Sequence, residues 1–206
     1  MTAVREPQQD RSRATRERLL ECTIESLAKD GWAATTVAEV AKRAGVSRGA
    51  AQHHFPTRED LITAALEHMF TALTAVAEQT HTLPAGAERI EAAVTRAVDF
   101  YTGILFKAAL QVWAAAPSDE ALRKRILPLE AKFGREAHRA TVIMLDADDS
   151  DPTVHRLVQA TLDLARGLGL ADTLSDDSAR RRQVVAAWSD QLRTAFGTDE
   201  VEPTST

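Results

Sequence analysis

The chain has 206 residues, 44% of them hydrophobic and 27% charged, which is enough for a sizeable core in one large or two small domains. Its net charge of −5 argues against a uniformly basic nucleic-acid-binding protein, and no apolar run approaches the roughly 20 residues of a membrane span. A single cysteine excludes an intrachain disulfide and, with a polar N-terminus that lacks a signal-peptide core, predicts a cytoplasmic protein without membrane contact.

Helical periodicity recurs along the chain and strand patterns are nearly absent, so the sequence predicts an all-α fold of about nine helices. The predicted helices begin and end at capping residues, glycines and prolines, and cover about residues 12–30, 36–44, 47–54, 57–79, 87–106, a shorter stretch ending at 113, 118–145, 152–171 and 177–196. The predicted organisation is a three-helix head over residues 1–56, a helical body over 57–198 and a disordered tail over 199–206. Residues 1–11 are predicted to be a flexible arm.

Two of the predicted helices in the head are too short to be stable alone, so packing must hold them. The first starts at a capping box, Thr36 to Glu39, and the second starts at the N-cap Ser47. Gly45, between them, permits the left-handed backbone of a sharp turn. Two short helices joined in this way are typical of a helix-turn-helix, in which the second helix is presented outward.

The outward helix lacks large apolar side chains, as a helix in the major groove of DNA requires. Arg48 can bond guanine O6 and N7, Gln52 can bond adenine N6 and N7, and hydroxyl and imidazole groups near helix starts suit phosphate oxygens. The predicted DNA-binding residues are Thr36, Ser47, Arg48, Gly49, Ala50, Gln52, His53, His54 and Arg58. Capping alone explains Thr36 and Ser47 equally well, and a solvated surface arginine is the alternative for Arg48.

The segment RERLLECTIESLAKDGWAATTVAEVAKRAGVSRGAAQHHFPTREDLI resembles the DNA-binding head of the TetR family of bacterial transcriptional regulators. The resemblance covers about residues 12–62 and agrees in spacing and residue type over four consecutive helices. Two positions depart from the family pattern: Ala51 replaces a larger aliphatic residue, and Gln52 replaces a tyrosine that commonly contacts the DNA backbone. The resemblance implies a dimeric, ligand-responsive repressor that binds a palindromic double-stranded operator.

Family members pair their last two helices with those of a second copy, and both of these helices carry apolar residues at a spacing of 3.6. The residues predicted at the dimer interface are Leu157, Thr161, Leu162, Ala165, Val184, Trp188 and Leu192. The alternative is that both helices pack only within the subunit.

The resemblance also implies a pocket for a small-molecule effector in the C-terminal body, for which aromatic and polar side chains are candidates. These candidates are Phe70, Phe100, Tyr101, Trp113, Phe133 and His138, and for each aromatic the alternative is ordinary core packing. An effector against the C-terminal half of the fourth helix would tilt that helix, change the separation of the two heads and release DNA.

No set of nucleophile, base and acid stands out, so we expect neither a catalytic site nor a cofactor. The adjacent histidines His53 and His54 lack the spacing of a helical metal pair, and the acidic stretch DADDSD lacks the glycine and glutamate of a calcium loop, so no metal site is predicted. The competing function is a helical small-molecule-binding or scaffolding protein without DNA-binding activity.

Overall fold

The computed structural model describes residues 6–77, 83–86 and 88–197. Over these residues it contains nine α-helices, one 3-10 helix at Ala116–Ser118 and no strand, which confirms the predicted all-α fold. The helices are α1 (Glu6–Ala34), α2 (Val37–Ala44), α3 (Arg48–His54), α4 (Arg58–Ala77), α5 (Glu88–Thr102), α6 (Ile104–Ala115), α7 (Glu120–Leu145), α8 (Pro152–Ala171) and α9 (Ser178–Ala195). No helix in this part of the chain combines the length and the apolarity needed to cross a membrane.

Two of the predicted helix boundaries are wrong. Helix α1 begins at Glu6, so residues 6–11 of the predicted flexible arm are helical, because Glu, Gln and Arg favour helices and Pro7 lies in the first turn, where proline is tolerated. The helix predicted over residues 87–106 is divided at Gly103 into α5 and α6. Residues 1–5 of the arm and the predicted tail over 199–206 lie outside the described residues.

The chain forms two compact units, which divide within α4 after residue 72 and within α7 after residue 131. The first unit joins the chain up to residue 72 with residues 104–131, and the second joins residues 73–103 with the chain from residue 132 onward. The predicted boundary after residue 56 does not coincide with this division, because α6 packs against α1 and so belongs with the N-terminal helices.

The core of the first unit is built by α1 to α4, α6 and the start of α7. Leu19, Leu20 and Leu27 on α1 are at most 1% exposed, and Val40 and Ala41 close the same core from α2. Gly31 has φ 84° and ends the regular part of α1, as a positive φ favours glycine. This packing supplies the support that the short helices α2 and α3 cannot provide for themselves.

In the second unit, α5 packs against α8 and α9. The approach of α8 to α5 is close enough that a Cβ atom added to Gly169 would lie 2.1 Å from the carbonyl oxygen of Tyr101. The indole Nε1 of Trp188 on α9 donates a hydrogen bond of 2.9 Å to the hydroxyl oxygen of Thr161 on α8. The close backbone approach of α8 to α5 and the hydrogen bond between α9 and α8 therefore hold these three helices together.

Candidate nucleic-acid interface

The turn between α2 and α3 is closed by backbone and capping hydrogen bonds. The hydroxyl oxygen of Thr36 accepts a bond of 3.2 Å from the Glu39 amide and so caps α2. Gly45, at φ 69° and ψ 29°, ends α2 in the left-handed conformation, and its N–H donates to backbone carbonyls of that helix. The hydroxyl oxygen of Ser47 accepts a bond of 3.1 Å from the Ala50 amide and starts α3 at once. The predicted helix-turn-helix geometry is therefore present in full.

Helix α3 is fixed on one side and exposed on the other. Ala51 is 1% exposed and Phe55, which follows the helix, is 3% exposed, so both belong to the core of the first unit. The outward side of the helix carries the residues whose exposure the sequence predicted, namely Arg48, Gly49, Gln52 and His53, with Ala50 and His54 half-buried at its margins. Ala51 is buried although it is smaller than the aliphatic residue that the family pattern has at this position, and Phe55 anchors the end of the helix in the same core.

The outward helix carries no negative charge. Helix α3 contains Arg48 and two histidines and no acidic residue. Arg16 of α1 places its guanidinium 5.3 Å from the centre of the Phe55 ring, next to the end of α3. Burial, together with the nearby His53 and Arg16, lowers the pKa of His54 and so favours the neutral imidazole, which retains one N–H donor.

Arg58, which the sequence predicts as a DNA contact, is half-buried and packs against Trp32. Its guanidinium lies 4.0 Å from the centre of the Trp32 ring and donates a hydrogen bond to the Trp32 carbonyl oxygen. Burial is the main cause that lowers the pKa of Arg58, and the nearby Glu59 and Asp119 oppose it. The side chain therefore holds the end of α1 to the start of α4, a structural role.

Two further contacts support the head, and neither has a local signal in the sequence. Gln111 of α6 accepts a hydrogen bond of 3.3 Å from the Trp32 amide, across 79 positions of the chain. Arg125 of α7 pairs with Asp60 at 2.7 Å, across 65 positions. Hydrogen bonds from Thr57 and then Arg125 lower the pKa of the Asp60 carboxyl. Both contacts brace the helices that carry α3.

The six predicted effector residues are distributed over both compact units. Phe70 and Trp113 belong to the first unit, whereas the other four belong to the second. Phe100 lies 5.4 Å from Phe133 in a stacked arrangement and 5.2 Å from Tyr101 in an edge-to-face arrangement, measured between ring centres. His138 contacts Asp149 instead, with 2.8 Å between Nε2 and Oδ1.

Four of the seven residues predicted at the dimer interface are buried inside the subunit. Helix α5 packs against both α8 and α9, and each of these four residues is at most 8% exposed, which leaves little surface for a partner. They are Thr161, Leu162, Ala165 and Leu192. Leu157, Val184 and Trp188 are half-buried. Leu170 and Leu174 are large apolar residues that remain exposed, at 53% and 92%, and periodicity did not single them out.

Comparison with known proteins relates the helix-turn-helix segment to bacterial regulatory proteins. The family model of the bacterial regulatory proteins of the tetR family matches residues 19–65. An uncharacterized HTH-type transcriptional regulator of Mycobacterium tuberculosis is 31% identical over 134 residues, which cover 65% of this chain and 69% of that protein.

Two solved structures share the fold. A candidate transcriptional regulator from Pseudomonas aeruginosa PAO1 has a TM-score of 0.68 at 23% identity, and the match covers 94% of this chain and 97% of that one. The multidrug binding protein EbrR, complexed with imidazole, has a TM-score of 0.54 at 23% identity, over 84% and 93% of the two chains. The family model, the relative and the helix-turn-helix agree, and the chain belongs to the TetR family of bacterial regulatory proteins.

Proposed function

We propose that this chain is a homodimeric transcriptional repressor that reads a palindromic DNA operator with α3 and leaves it when a small-molecule effector binds the C-terminal part. The observation that carries the proposal is the two-sided character of α3. Ala51 and Phe55 fix its inner side in the core, whereas Arg48, Gly49 and Gln52 face solvent. A rigidly held helix with short or hydrogen-bonding side chains outward can enter a major groove about 12 Å wide.

The outward residues divide into base-reading and backbone-positioning groups. Arg48 and Gln52 have the donors and acceptors for guanine and adenine edges. A Cβ atom added to Gly49 would meet nothing within 4 Å, so DNA can approach the backbone here without hindrance from this chain. Thr36 and Ser47 are exposed, and their hydroxyls, already used as caps, retain an O–H donor for phosphate oxygens.

A second copy is required because one α3 reads only half of a palindrome. Two such helices must lie roughly 34–36 Å apart, or at a longer spacing in phase with the DNA turn. We assign the contact between copies to the exposed side of α8 and the turn after it, where Leu170 and Leu174 leave apolar surface in water. This assignment replaces the four buried residues of the sequence-based prediction.

Release by an effector is supported by the course of α4 and by the aromatic side chains. Helix α4 runs without interruption from Arg58 to Ala77 and contributes to both compact units, so it is a candidate for coupling ligand to DNA. Phe100, Tyr101 and Phe133 offer ring faces of the kind that bind apolar and aromatic ligands. The imidazole complex of EbrR shows that a protein of this fold accepts a small heterocycle.

The test is the affinity of purified protein for duplexes from the chromosomal region upstream of its own gene, measured by fluorescence anisotropy against a shuffled duplex. We expect R48A to weaken specific binding by about 1–3 kcal/mol, or roughly 5- to 150-fold, with an unchanged far-ultraviolet circular dichroism spectrum. The matched control is R135A, which removes an exposed arginine of α7 in the second unit. Wild-type affinity in R48A, or no preference for any upstream duplex, would contradict the proposal.

A further inference from the structure

Three potential metal ligands converge in the second unit, and one of them, His138, is also a predicted effector residue. Asp149 lies in the loop between α7 and α8, and its Oδ1 is 2.8 Å from Nε2 of His138 and 3.0 Å from Nδ1 of His155. The two imidazole rings are 4.5 Å apart between centres. We propose that His138, Asp149 and His155 bind one divalent first-row transition-metal ion of the zinc type.

The distances suit such an ion after small side-chain rotations. The three ligand atoms all lie within 4.8 Å of one another. A tetrahedral ion with bonds of about 2.0–2.2 Å needs its ligand atoms roughly 3.3 Å apart, only a few tenths of an ångström more than the two present distances to Asp149. The two hydrogen bonds to Asp149 must open, and the two histidine nitrogens, which lie within 4.8 Å of each other, must both face the ion.

The chemistry of the ligands selects the class of metal. Two imidazole nitrogens and one carboxylate favour zinc, nickel, copper or cobalt, whereas magnesium and calcium prefer oxygen ligands throughout. The loop that holds Asp149 has the sequence DADDSD, with four aspartates in six residues, and its negative potential attracts cations. Asp148 and Asp151 are used inside the loop and at the start of α8, where they accept hydrogen bonds from Ser150 and the Thr153 amide.

The ion would connect α7, the loop and α8 at one point. His138 is set back in α7 with 17% of its side chain exposed, His155 is in the first turn of α8 at 42%, and Asp149 is at 38%. Three protein ligands leave a fourth position for water or for a donor atom of a small molecule. The site thus stiffens the α7–α8 connection and offers an open coordination position there.

The experiment uses the full-length, untagged protein, stripped of metal with chelator and titrated with Co²⁺ and Zn²⁺. We expect one ion per chain, a visible cobalt absorption spectrum that Zn²⁺ abolishes, and no displacement by excess Mg²⁺ or Ca²⁺. H155Q and D149N should each weaken Co²⁺ binding at least tenfold. Loss of a residue that only orients a metal ligand lowers metal affinity by roughly 10- to 100-fold, and loss of the ligand itself should cost at least as much. The matched control H68Q changes a half-buried histidine of α4 and should bind as the wild type.

Because D149N also removes hydrogen bonds of the loop, a second measurement needs no variant. Thermal unfolding of the wild-type protein should shift upward with Zn²⁺ and return with chelator, and the shift should vanish as the pH falls and protons displace the metal. Absence of stoichiometric binding at micromolar free metal, or equal binding by H155Q and the wild type, would mean that the three residues form a hydrogen-bonded cluster only. Neither result depends on DNA binding.

Discussion

The close approach of α8 to α5 makes Gly169 the position where one added methyl group should cost most. In G169A the new Cβ would lie 2.1 Å from the carbonyl oxygen and 2.8 Å from the carbonyl carbon of Tyr101. Ordinary contact begins near 3.4 Å, and the opposing atoms belong to the backbone, so no side-chain rotation relieves the overlap. The two helices must separate by about 1 Å or the new side chain must distort its surroundings.

The free energy of unfolding should fall by about 2 kcal/mol in G169A. Overpacking of this kind costs about 1–3 kcal/mol, and the backbone contact places the cost at the upper end. Replacing glycine by alanine inside a helix returns about 1 kcal/mol. For a chain of this size, the melting temperature should therefore fall by roughly 4–8 °C.

The matched control is G134A in α7, where an added Cβ would meet nothing within 4 Å. The free energy of unfolding of G134A should rise by about 1 kcal/mol, because alanine favours a helix more than glycine does. The two variants should therefore differ in free energy of unfolding by roughly 3 kcal/mol. Urea denaturation followed by circular dichroism measures both. A G169A variant as stable as the wild type would refute the described approach of α5 and α8.

Two further predictions concern residues whose roles changed between sequence and structure. R58A should lower the free energy of unfolding by about 1–3 kcal/mol, because it removes the stack on Trp32 and the hydrogen bond to the Trp32 carbonyl oxygen. The folded variant should keep its DNA affinity. Loss of affinity without loss of stability would contradict this expectation. L170E should leave the subunit folded and shift sedimentation velocity toward monomer, because a dimer would have to bury the new charge. Its control is L127E, at a leucine 49% exposed in the first unit, where no change in association is expected.

The parts of the site that the sequence predicted well depend on interactions between near neighbours in the chain. Thr36 and Ser47 bond to amides three positions ahead, and Gly45 ends α2 through its own backbone angles. Asp151 and Pro152 likewise start α8 as expected, with the Asp151 carboxylate accepting from the Thr153 amide at 2.6 Å. Such signals need no knowledge of the tertiary fold, because every partner lies within one helical turn.

The contacts that the sequence does not predict join residues more than one helical turn apart. An arginine at the start of α4 fits a phosphate contact equally well until Trp32, 26 positions earlier, is found under its guanidinium. The cluster of His138, Asp149 and His155 has spacings of 11 and 6 residues, which match no local metal motif. Only the folded arrangement of α7, its loop and α8 brings these ligand atoms together.

Helix α8 shows why periodicity alone does not identify the residues that contact a second copy. A spacing of 3.6 identifies an apolar face but not the helix that packs against it. The buried face of α8, with Thr161, Ala165 and Leu168, packs against α5 of the same subunit, and Thr161 also bonds to Trp188 of α9. Leu170 lies on the other side, exposed, and the turn after the helix adds Leu174. A helix that satisfies its own core with one face can meet a partner only with the opposite one. For the proposed dimer, we therefore expect a contact that is narrower and more polar than a bundle built on the buried face and that depends strongly on a few leucines.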